Sequence, residues 1–165
     1  MQATLILAGV LMLGSIPAVR ADTALNVAVC DGDVEVSISP GLSLIPSSPT
    51  FVSDGDAGTI DCFGFVAGKQ VTGKGTLAAG GVLGLFTGAV CTHGIGGGAF
   101  SITVPTEDGP KTVTGDYTFS WAGLVGELTG STGSGTLKFT PVEGHCLSQP
   151  ITRASIHVSG LLQES

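Results

Sequence analysis

Apolar and polar residues alternate one by one along most of the chain. "DVEVSIS" sets Val34, Val36 and Ile38 against Asp33, Glu35 and Ser37, and "AFSITV" repeats the rhythm with Phe100, Ile102 and Val104. "DYTFSW" opposes Tyr117, Phe119 and Trp121 to Asp116, Thr118 and Ser120, and "TLKFT" and "ASIHVSG" carry the pattern toward the C-terminus. A period of two marks strands with one buried and one wet face, because successive side chains leave a pleated backbone on opposite sides. No window shows the stripe of an amphipathic helix. The pattern predicts strands near 24–30, 33–39, 49–53, 58–67, 70–78, 82–91, 97–104, 111–121, 124–129, 134–140 and 151–162. Short strands joined by Gly, Pro, Asp and Ser predict an all-β chain, a single antiparallel β-sandwich or β-barrel of about nine to eleven strands.

Composition sharpens this reading. Glycine supplies 27 of 165 residues, roughly twice the usual share of about 7%. Each glycine costs a helix interior about 1 kcal/mol relative to alanine, whereas a sheet uses it at bulges, bends and close backbone approaches. The segment "PGLSLIPSSPTF", Pro40 to Phe51, carries three prolines and predicts a loop or edge crossing. "VTGKGTLAAG", "VTGDYTFSWAG" and "STGSGTLKFT" share a Thr-Gly-x-x-Thr core, read as convergence on good strand and turn residues ahead of a duplicated hairpin.

The first residues are of another kind. An apolar run from Ala3 to Leu13 is followed by Pro17 and the small-residue stretch "AVRA", with Val19 and Ala21 suited to signal peptidase. The run is shorter than the roughly 20 apolar residues of a membrane span. Residues 1–21 are therefore expected to be a signal peptide cleaved after Ala21, leaving 22–165 as one secreted all-β domain. Asp22 is not the cysteine of a lipid anchor, and "VSGLLQES" is no membrane tail, so release from the membrane is expected.

Losing Arg20 leaves five basic against thirteen acidic residues, a net charge near −8. Such a surface repels phosphate backbones and excludes nucleic acid as an expected partner. Four cysteines, Cys30, Cys62, Cys91 and Cys146, remain after cleavage. An even count in an exported chain reads as two disulfides. Of three possible connectivities, sequential pairing (Cys30–Cys62 and Cys91–Cys146) is favoured, as suits a chain folding while it emerges. Loops of these lengths contribute about 4 kcal/mol each in the loop-entropy model.

Asp-Gly-Asp occurs twice, at Asp31–Asp33 and at Asp54–Asp56. Calcium takes six to eight oxygens and gathers carboxylates around a glycine turn, so Asp31, Asp33, Asp54 and Asp56 are candidate calcium ligands. Asp-Gly is also a common hairpin turn, and two turns are the preferred reading, with no cofactor expected. "CTH" at 91–93 and "HC" at 145–146 offer zinc-type ligands, but adjacent residues of an extended chain point apart and export favours a disulfide. A Cys91–Cys146 bond would carry His93 and His145 toward one another. No serine sits in a Gly-x-Ser-x-Gly elbow, and His157 falls on a polar face. Glu35, Glu107, Glu127 and Glu143 are the glutamates open to acid–base work, with Glu127 placed mid-strand and facing outward. "HGIGGGAF" lacks the lysine and helix of a phosphate loop. Tyr117, Phe119 and Trp121 share one face and are expected in the core, in preference to an exposed platform.

"VCDGDVEVSISPGL", "DCFG", "GAVCT", "GGGAFSITV" and "GHCLSQPITRASIHVSGLL" together resemble a group of short exported proteins of high-GC Gram-positive bacteria. These share a Cys-x-Gly start, a Pro-Gly-Leu step, Gly/Thr-rich strands and a late cysteine. The resemblance spans nearly the whole mature chain, and it implies an exported β architecture without supplying a catalytic residue. The expectation is a secreted, non-catalytic domain that binds an extracellular ligand or protein or serves at a surface. Two alternatives are a small hydrolase using acids on a sheet face and a protease inhibitor presenting "SLIPSSPTF".

Overall fold

The computed structural model describes residues 26–54 and 58–163, so the expected signal peptide and Asp56 lie outside the described residues. Ten strands form one antiparallel sheet: β1 (Val27–Leu42), β2 (Thr50–Ser53), β3 (Gly58–Val66), β4 (Lys69–Gln70), β5 (Gly75–Leu83), β6 (His93–Thr106), β7 (Gly109–Ala122), β8 (Val125–Gly130), β9 (Gly133–Glu143) and β10 (Ile151–Gln163). From β5 to β10 each strand pairs with the next, and β10 then pairs with β1 from Val27↔Gln163 to Ser37↔Arg153. That last pairing closes the sheet. The protein is a barrel, not a sandwich.

The ten strands make eight staves. β2 and β3 run along the same edge of β1, pairing Ser39↔Thr50 to Val36↔Ser53 and then Asp33↔Thr59 to Ala28↔Gly64. While β1 advances three residues from Val36 to Asp33, its partner advances six from Ser53 to Thr59. The same offset recurs against β5, which pairs with both segments. Of the second Asp-Gly-Asp only Asp54, just after β2, is among the described residues, so the turn expected there lies outside them. β4 only extends β3 into a small hairpin.

The first Asp-Gly-Asp is no turn. Strands expected at 24–30 and 33–39 are one strand, β1, because Ala28, Cys30, Gly32, Val34, Val36 and Ile38 all face inward without a break in alternation. A turn would have thrown half of these into water. Pro40 to Leu42 continue β1, through a cis Ser39–Pro40 bond, where a loop was expected. The strand expected at 82–91 ends at Leu83, where Gly84 takes a positive φ of 74°. The three Thr-Gly-x-x-Thr segments also fall at unequal places: two lead into β5 and β9, and the third lies within β7.

An eight-strand barrel has an interior just wide enough for side chains or one small ligand. Here the inside is apolar: Val34, Val36, Leu42, Ile60, Leu77, Val104 and Val113 are buried. The outward positions of β1 are Asp31, Asp33, Glu35 and Ser37, flanked by Val27 and Val29 at one end. The outer face is mixed: beside the polar run of β1, Val29 and its cross-strand partners Phe63 and Leu161 are exposed.

Both disulfides have the favoured sequential connectivity, Cys30–Cys62 and Cys91–Cys146. Cys30 and Cys62 are direct cross-strand partners, buried inside the barrel. Cys91–Cys146 ties the loop after β5 to the loop before β10. Two such bonds are compatible with an extracellular protein.

Glycine explains how so narrow a barrel is filled. Across the β6–β7 pair, Gly94 faces Trp121, Gly96 faces Phe119, and Gly98 faces Tyr117. The Trp121 and Phe119 rings occupy the space a Cβ on Gly94 or Gly96 would need. Gly96→Val is therefore expected to lower the unfolding free energy by about 1–3 kcal/mol through overpacking. Gly73→Val, whose Cβ meets only ordinary contact with Pro105, should change it by no more than about 0.5 kcal/mol. Urea titrations followed by Trp121 emission measure both.

Candidate functional site

Tyr117, Phe119 and Trp121 climb the inner face of β7 as a ladder. Ring centroids of Tyr117 and Phe119 lie 5.9 Å apart and those of Phe119 and Trp121 5.6 Å apart, both stacked. Phe51 meets the edge of Phe119 at 84°, and Phe100 tilts against Tyr117 at 6.2 Å. These spacings suit aromatic pairing. The expectation that the three β7 aromatics form core is borne out, and the exposed platform is excluded.

Below Phe119 the filling is incomplete. A cavity of about 120 Å³ lies between Phe51, Phe100, Tyr117 and Phe119 on one side and the wall of β8, β9 and β10 on the other. That wall recedes because Gly130, Gly133, Gly135 and Gly160 contribute no side chain. At the Gly135–Gly160 pair a Cβ on either residue would collide with the carbonyl of the facing strand. Close strand approach and lost volume thus come from the same residues. Phe119 separates this cavity from a smaller void of about 20 Å³ against Trp121. No Asp, Glu, Lys, Arg or His lines the larger space.

Sequence reasoning missed the cavity. A signal was present: glycines at 94, 96 and 98 and aromatics at 121, 119 and 117 lie symmetrically about Glu107-Asp108, where β6 turns into β7. Placing the hairpin there pairs each ring with a glycine. The compensating glycines on β8 to β10 depend on barrel closure, which no local pattern shows.

Tyr117 stands at the polar end of the cavity. It is 8% exposed, and among the described residues its hydroxyl has no hydrogen-bond partner. Burial alone pushes its acidity well away from the ordinary tyrosine range, toward higher pH. Thr132 Oγ1 is likewise buried without a partner, and Thr132 borders the same cavity. A Cβ on Gly115, the inward position next to Tyr117 on β7, would lie 3.0 Å from that oxygen.

The described candidate calcium ligands, Asp31, Asp33 and Asp54, lie outside the barrel and fall into two groups, around His157 and around Arg153. Asp31 and Asp33 flank His157 of β10, at 3.2 Å from Nε2 and 3.0 Å from Nδ1. Asp61 is the direct cross-strand neighbour of Asp31. Like charges directly opposite destabilise a sheet, and Lys74, 4.0 Å from Asp61, offsets that pair. Asp54 accepts hydrogen bonds from Ser37 Oγ and from Arg153 Nε at 3.2 Å. Arg153 also donates to Glu143 at 3.0 Å and Glu35 at 2.8 Å. The bonds to Glu143 first, then Asp54 and Glu35, raise its already high basicity. Among the described residues no group of three or more His, Cys, Asp or Glu is arranged to hold a metal ion.

The remaining candidates stay apart. His93 contacts Thr92 Oγ1 and His145 contacts Ser148 Oγ, each beside its own hydroxyl neighbour. Glu127 faces Ser120 and Thr136 across the strands and finds no second carboxylate there. Glu35 and Glu143 are held by Arg153. At the opposite end from Tyr117, the loops 43–49, 84–92, 123–124 and 144–150 contain no Asp, Glu, Lys or Arg. They expose Ile45, Phe86, Leu124 and Leu147.

Tyr117 is the single tyrosine of the chain, so phenolate absorbance reports it alone. A group whose pKa is raised in the folded state contributes stability that is present below its unfolded pKa and is lost as pH rises through the folded one. The native protein is expected to show no tyrosinate signal through about pH 10, the ordinary tyrosine range. The signal should then appear together with alkaline unfolding, read from Trp121 emission. No protein-family model matches this chain, and comparisons with curated proteins and with solved structures find no match.

Proposed function

We propose that this chain is a secreted, non-catalytic binding protein that holds one small, neutral, largely apolar molecule inside its barrel. The reading is carried by the cavity of about 120 Å³, aromatic on one side, glycine-walled on the other, and free of charged lining. An apolar cavity of about 150 Å³ stays dry and admits benzene, so this one suits a molecule of roughly that size. Concave, mostly apolar sites with few polar groups are the common form of a ligand pocket. The outer wall supports the same reading, since Glu35, Asp54 and Glu143 are paired with Arg153 of β10, and Asp31 and Asp33 flank His157. Export fits a carrier or sensor of a freely diffusing molecule outside the cell.

Benzene or toluene is expected to raise the melting temperature of the wild-type protein. At 100 times the dissociation constant the gain is about 2.7 kcal/mol. Ala79 lines the cavity, and Ala79→Leu should fill it and abolish the shift while preserving the fold. Identical melting curves with and without ligand in the wild type would remove this reading.

The uncharged loop end supports a second reading, attachment to a lipid surface. Four separate loops project large apolar side chains, with Ile45 at 75%, Phe86 at 81% and Leu147 at 83% exposure. Separate apolar tips without an acidic or basic rim suit a fluid hydrocarbon layer better than a shaped protein partner. Sedimentation with phosphatidylcholine vesicles should carry the protein down at low and high salt alike. Replacing Ile45, Phe86 and Leu147 by serine should leave it in solution. Wild-type protein left in the supernatant at both salt concentrations would reject this attachment.

A further inference from the structure

The cavity's chemistry narrows the ligand further, and this step rests on the reading of the cavity as a binding site. We infer that the bound molecule is a neutral aromatic of phenol or benzyl alcohol size carrying one oxygen, and that the Tyr117 hydroxyl recognises that oxygen. Three observations converge on it.

The first is an unmet hydrogen-bonding group. Buried tyrosine hydroxyls nearly always find a partner, because a phenol stripped of water and left alone is costly. The Tyr117 side chain is 92% buried, and its hydroxyl, which still touches open space, has no partner among the described residues. Thr132 Oγ1, enclosed in the same wall, has none either. Tyr117 and Thr132 both border one carbon-lined space, so a ligand oxygen beside Tyr117 meets a donor that the fold itself leaves unused.

The second is the absence of charge. No ionisable side chain other than Tyr117 lines the cavity. An ionised ligand would lose its hydration with no countercharge to replace it. A carboxylate or an ammonium group is therefore excluded, and a hydroxyl or carbonyl oxygen is what the site accommodates. Tyr117 donates to that oxygen, and a ligand hydroxyl has its own proton to give to the tyrosine oxygen or to Thr132.

The third is shape. Phe100 and Phe119 flank Tyr117, with Phe100 tilted at 55° to it, and Phe51 meets Phe119 at 84°, so ring faces and edges both border the cavity. A planar six-membered ring fits that environment in edge-to-face contact. The polar atom then falls at the Tyr117–Thr132 end, and the apolar edge points toward Phe119.

The test uses isothermal titration of the full-length secreted protein with benzene, phenol and benzoate at neutral pH. Phenol is expected to bind about 3–10-fold more tightly than benzene, the span of one neutral hydrogen bond, and benzoate not to bind. Tyr117→Phe keeps the ring ladder and should erase phenol's advantage over benzene, bringing the two affinities together. Thr132→Val is the second variant should Tyr117→Phe fail to fold, and it should reduce the advantage in the same direction. Equal affinities for phenol and benzene in the wild type, or a phenol advantage that survives in the variant, would overturn the role of Tyr117 while leaving the cavity as a binding site. If none of the three binds the wild type, the binding reading itself fails and this inference with it.

Discussion

Inward-facing side chains in a barrel of eight staves compete for one narrow volume. Every large ring admitted from one strand must be matched by an empty position on its neighbour. In this protein the matching is done between β6 and β7, where Gly94, Gly96 and Gly98 stand opposite Trp121, Phe119 and Tyr117. The same exchange recurs across β7 and β8, where Gly126 faces Trp121 and Gly130 faces Tyr117. Nearly everything else inside follows from that constraint. Aliphatic residues of β1, β3 and β5 fill the far side, and the cavity remains where glycines of β8, β9 and β10 outnumber the rings available to cover them.

The outer wall obeys a different balance. Four of the chain's thirteen acids, Asp31, Asp33, Glu35 and Asp61, sit on β1 and β3, close enough to repel one another. β10 answers with the only arginine and the only histidine on its length, Arg153 and His157. Exposed ion pairs contribute little singly, yet a cation placed among three carboxylates also relieves their mutual repulsion. The pairs lie along the β1–β10 seam, so the wall's electrostatics favour the register that closes the barrel.

Much of this architecture is legible in the chain. Unbroken alternation at 33–39, 100–104 and 116–121 reflects a local rule, side chains leaving a pleat on alternate sides, and the strands stand where it places them. The inward orientation of Tyr117, Phe119 and Trp121 follows from the same rule. Asp31-Gly32-Asp33 misleads because Asp-Gly favours turns locally, whereas here long-range pairing with Cys62 and His157 keeps the chain extended. Barrel against sandwich could not be read, since the deciding pairs, such as Val27 with Gln163, join opposite ends of the sequence. The cavity was hidden for the same reason: it is a deficit of volume summed over six strands, and no single segment announces a deficit.

The seam between β1 and β10 has a consequence for how the molecule is made. β1 is nearly the first strand of the sheet to leave the ribosome or the export channel, and β10 is the last. One edge of β1 can be covered early by β2 and β3 and locked through Cys30–Cys62. Its other edge, twelve paired residues long, stays open until the C-terminus arrives. Contacts so distant in sequence form slowly, and an open strand edge invites pairing with other chains. Closure of this barrel therefore waits for its last strand, and any chain cut short before β10 presents its longest strand as a template for aggregation.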